Sequence, residues 1–331
     1  MGGKRRIGPL ELKPVGLGCM SLSHGYGTPP PREHSAALLN QALDLGYDFL
    51  DTAALYGFGA NETLIGEAIS HRRGEFSLAS KCGMTGVDGK RAIDGRPETL
   101  RKTLEEALVR LKTDVIDLYY LHRWDKRVPI EDSIGEMGRF VAEGKVRALG
   151  LSEVSAGTLR KAHAVHPIAA VQNEYSPWSR NVELGVLDTT RELGTSLVCF
   201  SPTARGFLAG AVKEVESLPA GDLRRAMPRF QGDNLRQNLG LYEQFEQLAE
   251  QAGCTPAQLS IAWVLSRGDH VVAIPGTTSL KHLTENFAAK DLDVSPEILA
   301  AVEALITPEA VAGGRYAPGT LAEIDTEEFA G

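Results

Sequence analysis

The chain has 331 residues, 43% of them hydrophobic and 24% charged, and carries a net charge of −8. That composition is globular, the length suffices for a large core, and the acidic balance argues against non-specific binding to nucleic acid or anionic membranes. Cys19, Cys82, Cys199 and Cys254 form neither a CxxC pair nor a metal-ligand spacing. With no secretory signal after the basic start and no apolar run long enough to span a bilayer, a soluble protein in the reducing cytoplasm is expected.

Short β-rich runs alternate with longer helical patterns, the signature of a parallel sheet. The run Gly8 to Pro14 predicts a small hairpin or plug ahead of the repeats. Strands are predicted near 15–19, 47–51, 77–82, 115–121, 146–151, 168–172, 196–200 and 271–274. Helical periodicity covers about 33–45, 61–71, 97–111, 131–143, 155–165, 181–193 and 235–267. The last of these is split by Gly253, with a restart at Thr255-Pro256. A final helix pair is predicted near 279–288 and 296–305. Eight strands with intervening helices predict an α/β fold, a (β/α)8 TIM barrel over 1–331 as a single domain, with an N-terminal hairpin and extra C-terminal helices. An open doubly wound sheet is the alternative. Segments 24–31, 209–233 and the tail from 307 are candidate loops over the barrel mouth, and the acidic end, Glu323 to Glu328, is read as a solvated terminus.

In a barrel, chemistry sits at the C-terminal ends of the strands. Asp51 ends one strand, Tyr56 lies in the loop behind it, Lys81 ends the next strand and His122 the one after. Taken singly, Asp51 could cap a loop and Lys81 and His122 could be satisfied barrel residues; four titratable groups on three neighbouring strand ends point to one pocket. Here the sequence resembles the aldo-keto reductases. The matching segments are Asp51-Thr52-Ala53-Ala54-Leu55-Tyr56-Gly57 with Asn61-Glu62, Lys81, His122, Gly150-Leu151-Ser152 and Val171-Gln172-Asn173-Glu174-Tyr175-Ser176. Ser201-Pro202, Arg205-Gly206-Phe207-Leu208, Ile274-Pro275-Gly276-Thr277 and Glu285-Asn286 follow in family order. Pro228-Arg229-Phe230 and the spacing are most similar to the branch of bacterial and plant reductases related to potassium-channel β subunits.

Hydride addition to a carbonyl builds negative charge on oxygen, which calls for a proton donor. A free tyrosine, with a pKa of about 10, is poorly matched to neutral pH; an adjacent Lys81 cation is expected to lower it. Asp51 would keep Lys81 charged, and His122 would orient the carbonyl and share the oxyanion hydrogen bonding. Tyr56 is then the proton donor, and the resemblance implies the same roles. No metal is called for.

Gly16-Leu17-Gly18-Cys19-Met20-Ser21 and Gly57-Phe58-Gly59-Ala60-Asn61-Glu62 lack the third glycine of GxGxxG. The first run, Met20 included, reads better as a tight strand-end turn beneath a nicotinamide. Ile274 to Ser279 leads into a helix whose free N–H groups can hold a phosphate. Gly276, the hydroxyls of Thr277, Thr278 and Ser279, and the charge of Lys281 and His282 suit the 2′-phosphate of NADP. Ser279 also reads as a plain helix cap. The resemblance implies that Glu285 and Asn286 reach the adenine, that Ser152 and Gln172 bind the nicotinamide carboxamide, and that Phe200 stacks on its ring. It places Ser201, Pro202, Arg205, Gly206 and Leu208 beneath the pyrophosphate, with Arg229 a phosphate candidate or a surface charge. The sequence departs from relatives at Glu153, His282 and Trp124, where asparagine, arginine and proline are usual; the second bears on the preference for NADPH over NADH. Tyr26, Met84, Trp124 and Trp178 are candidates for an apolar substrate wall or for loop packing, and Gly314-Arg315-Tyr316 for a cover over the opening. The leading expectation is NADPH-dependent reduction of a small-molecule aldehyde or ketone. The rivals are an NADPH-binding regulatory subunit with little turnover and, further off, a barrel hydrolase or lyase. Self-association is left open.

Overall fold

The computed structural model describes residues 3–87 and 90–329. The hairpin β1 (Arg5–Ile7) and β2 (Leu10–Leu12) precedes β3 (Leu17–Gly18), α1 (Arg32–Leu45), β4 (Phe49–Asp51), α2 (Ala60–Ile69) and β5 (Ser77–Cys82). An antiparallel pair, β6 (Met84–Val87) and β7 (Lys90–Ile93), interrupts the alternation. Then come α3 (Pro97–Leu111), β8 (Ile116–Leu121), α4 (Ile130–Ala142), β9 (Val146–Ser152), α5 (Ala156–Val165) and β10 (Ile168–Glu174). The chain continues through α6 (Val186–Leu193), β11 (Ser196–Phe200), α7 (Gly232–Gln251), α8 (Pro256–Leu265) and β12 (Val271–Ile274). It ends in α9 (Leu280–Ala288), α10 (Pro296–Leu305) and a short α11 (Pro318–Leu321).

Eight parallel strands run in the order β3-β4-β5-β8-β9-β10-β11-β12. The first meets the last: Gly16 N donates to Ala273 O (2.9 Å), Ala273 N to Pro14 O (2.9 Å) and Gly18 N to Pro275 O (3.2 Å). Glycine is required at the seam, because a Cβ on Gly18 would lie 2.7 Å from the Ile274 carbonyl oxygen. The sheet is thus a (β/α)8 barrel, and the open-sheet alternative falls.

Apolar spacing sets the helix faces. Leu100, Leu104, Ala107 and Leu111 of α3, and Ile130, Ile134, Met137 and Phe140 of α4, form buried stripes against the strands. Proline at the first turn starts α3, α8 and α10, and Thr255 and Gln258 close a capping box on α8. Inside the barrel, Phe49, Ala79, Leu118, Tyr120, Ala170, Val198 and Val272 pack with Ile7, Leu10 and Leu12, so the hairpin plugs one end. The other end, where the strands finish, stays open for chemistry.

Three expectations need correction. The strand expected over 15–19 is a two-residue ladder, Leu17–Gly18, with an isolated bridge at Val15. The helix expected over 181–193 breaks at Gly185 into a 3-10 turn (Asn181–Leu184) and α6. The acidic end is docked rather than solvated. Asp325 accepts from Ser155 N (3.0 Å), Ser155 Oγ (2.8 Å) and Thr158 Oγ1 (2.7 Å), and Glu327 accepts from Ala156 N (2.8 Å). The N-terminus of α5 offers unpaired N–H groups and a positive dipole end, which these carboxylates satisfy.

Candidate active site

Four side chains expected to carry chemistry meet at the strand ends. Lys81, fully buried on β5, donates to Asp51 of β4, to Thr52 O (2.8 Å) and to Tyr56 Oη (3.4 Å). Three acceptors match the three N–H bonds of an ammonium. Gln172 Nε2 on β10 donates to the other Asp51 oxygen at 2.7 Å, fixing the carboxylate from the opposite side. Tyr56 is delivered by the turn behind β4, where Thr52 Oγ1 donates to Asn61 Oδ1 (2.6 Å) and Asn61 Nδ2 donates to Cys19 O (2.9 Å) and Ser23 Oγ (2.9 Å). His122 follows β8 with its ring edge-on to Tyr56, centroids 5.9 Å apart.

Burial sets much of the electrostatics. It would push the Lys81 ammonium down, but Asp51 and Tyr56 outweigh it and hold the group above its ordinary value. Burial pushes the Tyr56 phenol up, and Lys81 pulls it back without reversing the shift. The expected net lowering is therefore not met: desolvation of the phenolate wins. Tyr56 stays a proton-bearing phenol, and the ammonium beside it favours charge only as that proton leaves. Burial, with Arg123 and Lys81 adding repulsion, holds His122 well below the usual imidazole value. It is neutral at pH 7, and its Nδ1 has no partner among the described residues.

Tyr56, Asp51 and His122 line a cavity of about 940 Å³. Met20, Ser152, Gln172, Phe200, Ser201, Pro202, Arg205 and Gly206 share its wall. So do Thr277, Thr278, His282, Glu285 and Asn286 at and after the start of α9, Ile274 and Gly276 at the strand end beside Gly18, and Tyr26 and Met84. Ser201, Ala204 and Arg205 hold φ values of +50°, +53° and +57°, strained left-handed positions beside the cavity.

Several expected residues fall elsewhere. Trp178 packs on Phe207 (4.1 Å between centroids) and Phe230 (5.5 Å), in the core rather than on a substrate wall. Trp124 is spent likewise: its indole donates to Val128 O at 2.9 Å. Arg229 donates to Trp178 O (2.6 Å), Ser179 Oγ (2.8 Å) and Gly313 O (3.2 Å), so it ties loops together, and burial lowers it to about 10. Leu208 is buried core. Ser279 caps α9 by accepting from His282 N at 3.4 Å. None of the five lines the cavity.

Arg205 reaches the wall but is held by Glu174 (2.7 Å) and Tyr316 Oη (2.8 Å). Arg315 pairs with Glu153, both side chains almost wholly buried, and Tyr316 Oη donates to Glu174 at 2.6 Å. Glu153 thus anchors the tail instead of facing a ligand, and Tyr316 joins the cavity wall. His24, Arg91, Arg123, Arg224 and Glu323 also line the cavity and were not singled out from sequence. The position of Arg123 directly after a strand-end histidine was the available signal.

Comparison with known proteins agrees with this geometry. The family model for the aldo/keto reductase family matches residues 14–307. The Schizosaccharomyces pombe aldo-keto reductase yakc, named for NADP(+), is 42% identical over 327 residues, covering 97% of this chain and 96% of that one. A probable aldo-keto reductase 1 of Glycine max is 43% identical over 313 residues, 93% and 90% of the two chains. Among solved structures, a glycerol dehydrogenase of Gluconobacter oxydans superposes with a TM-score of 0.85 at 28% identity over 96% of this chain and 98% of that one. An aldo-keto reductase of Klebsiella pneumoniae in complex with NADPH gives 0.72 at 26% identity over 96% and 99%. Barrel, strand-end tetrad and homology converge: the chain belongs to the aldo/keto reductase family.

Proposed function

We propose that this protein reduces aldehydes or ketones to alcohols with NADPH, with Tyr56 as the proton donor. The observation that carries the reading is the chain Tyr56–Lys81–Asp51–Gln172, three of whose members open onto one cavity shared with a helix N-terminus. The chemistry of the donor set fits the dinucleotide. Thr277, Thr278, His282 and the N-terminal N–H groups of α9 would hold the 2′-phosphate. Glu285 and Asn286 would take the adenine; Ser201, Pro202 and Gly206, with Arg205 fixed behind them, the pyrophosphate. Phe200 would pack on the nicotinamide. Gln172 spends one amide N–H on Asp51, and its carbonyl oxygen would accept from the carboxamide, beside the Ser152 hydroxyl.

When bound, the nicotinamide supplies the hydride. Tyr56 and the neutral His122 then hold the substrate carbonyl oxygen, and the Tyr56 proton passes to that oxygen as charge grows on it. Lys81 stabilises the phenolate left behind, and Asp51 keeps Lys81 charged and in place. Steady loss of NADPH absorbance with activated aldehydes tests the proposal. Sustained turnover supports it. Tight NADPH binding without turnover of any aldehyde would instead make the protein a regulatory subunit, and absence of nicotinamide binding would refute a dinucleotide role altogether.

A further inference from the structure

Four arginines line the cavity among the described residues, and three are committed to carboxylates. Arg91 pairs with Glu323 (2.7 Å), Arg205 with Glu174 (2.7 Å) and Arg224 with Asp222 (2.7 Å). Arg123 has no carboxylate within ion-pair distance among the described residues. Its Nη1 donates to its neighbour's carbonyl, His122 O, at 2.6 Å and to Ser152 Oγ at 3.1 Å. Nε and Nη2 have no hydrogen-bond partner among the described residues, and neither belongs to the enclosed, partnerless atoms. These two nitrogens form the side-on edge of the guanidinium, whose parallel N–H bonds match the two oxygens of a carboxylate.

The location decides what such an anion belongs to. Arg123 adjoins His122, and its charge acts on both the His122 imidazole and the Tyr56 phenol. Its bonds to His122 O and Ser152 Oγ, with the His122 ring edge-on to Tyr56, place it on the strand-end rim that carries the proton donor. The acidic groups nearby are already neutralised: Asp51 by Lys81, and Glu323 by Arg91. His24 and His122 are both held toward the neutral form, His24 by burial and by Arg91. A half-buried guanidinium with a free bidentate edge is left as the unmatched charge beside the proton donor.

We infer that the substrate is an aldehyde or ketone that itself carries a carboxylate, bound side-on by Arg123 while Tyr56 and His122 hold its carbonyl oxygen. The inference rests on the reductase reading above and narrows its substrate class. Of the apolar wall expected from Tyr26, Met84, Trp124 and Trp178, the first two line the cavity, while the fold spends the tryptophans on packing.

The test compares acids with their neutral methyl esters: 4-carboxybenzaldehyde against methyl 4-formylbenzoate, and 4-oxobutanoate against its methyl ester. Hydrogen bonds to charged groups contribute about 1.5–3 kcal/mol, so kcat/KM in the wild type is expected to favour the acid about ten- to hundredfold in at least one pair. Since a guanidinium stays charged, that ratio should be flat from pH 6 to 9. In Arg123→Gln the ratio should collapse toward unity. Arg123→Lys keeps the charge but loses the fork, and should fall between; it serves as the second variant if the first does not fold. Equal use of acid and ester by the wild type, with the esters turned over, overturns the inference and leaves the reductase reading intact. An acid-to-ester ratio unchanged in Arg123→Gln, including equal loss of both activities, overturns it too, since Arg123 would then act through Ser152. If no aldehyde in the panel oxidises NADPH, the reductase reading fails first and the inference falls with it.

Discussion

Replacing Lys81 with methionine probes both what holds the site together and what it does. The side chain is fully buried, so the substitution exchanges one enclosed four-atom stem for another of similar size and deletes the charge. Two consequences follow. Asp51, only 2% exposed, keeps its bond from Gln172 but loses the ammonium, and breaking a buried pair costs about 3–5 kcal/mol. Tyr56 loses a cation 3.4 Å from its oxygen. At an effective dielectric near 20, that cation stabilises a phenolate by about 5 kcal/mol of Coulomb energy. Loss of assisted proton transfer should lower kcat by about 10²- to 10⁴-fold. The double variant Asp51→Asn/Lys81→Met separates the effects, because it removes the stranded carboxylate without restoring the cation. Urea unfolding followed by tryptophan fluorescence, alongside kcat for one activated aldehyde, reads both. The double variant should recover about 1–3 kcal/mol of the lost stability and none of the lost rate. Recovery of turnover together with stability would refute the reasoning, since it would reduce Lys81 to a structural counter-ion.

Two further outcomes concern the buried ion network under the tail. Burial alone would raise the Glu174 carboxyl, yet Arg205 and Arg315 outweigh it and lower it from 4.5 to about 2. Between those values the unfolded chain binds more protons than the folded one, so stability rises with pH. The contribution, about 3 kcal/mol, is complete above about pH 4.5 and is lost as pH falls toward 2. Glu174→Gln should flatten that acid limb in urea melts across pH 2–6; an unchanged limb would remove Glu174 from the account. Asp325→Ala should cost about 1–2 kcal/mol, because it frees the Ser155 amide and two hydroxyls at the start of α5. Protease cleavage of the tail at lower concentration than in the wild type would report the same loss, and equal resistance would contradict it.

The barrel was legible because its signal is periodic. α3 and α10 fall on the residues expected, and Gly253 with Thr255-Pro256 marks the break between α7 and α8, since proline and glycine constrain the backbone wherever they stand. β3 is shorter than the expected 15–19, because only Leu17 and Gly18 form a continuous ladder and Val15 adds an isolated bridge to Ala273. The β6–β7 pair was missed: each strand has four residues, too few for a clear alternation, and only the Asp88-Gly89 dipeptide, which lies outside the described residues, advertised a turn. Tyr56, Asp51, Lys81 and His122 converge because strand ends share one rim, a rule readable without coordinates. Trp124 and Trp178 show the opposite case. An aromatic side chain serves core or cavity equally well, and what placed Trp178 in the core was Phe207 and Phe230, 29 and 52 residues away in sequence. The docked acidic tail was illegible for a related reason. Its partners, Ser155, Thr158 and Glu153, lie some 170 residues upstream, and only folding brings that helix start to the chain's end. Arg123 was visible as a residue but not as an unpaired charge, which depends on where every other carboxylate goes.

The central claim is that the Tyr56 phenol delivers the proton, and removing one oxygen atom tests it. In Tyr56→Phe, NADPH affinity measured by fluorescence titration should stay within about twofold of the wild type, since that side chain lies with the reacting carbonyl. Single-turnover oxidation of the bound NADPH by aldehyde should fall by at least about a hundredfold. Turnover kept near the wild-type rate would contradict the account and pass the proton-donor role to another group.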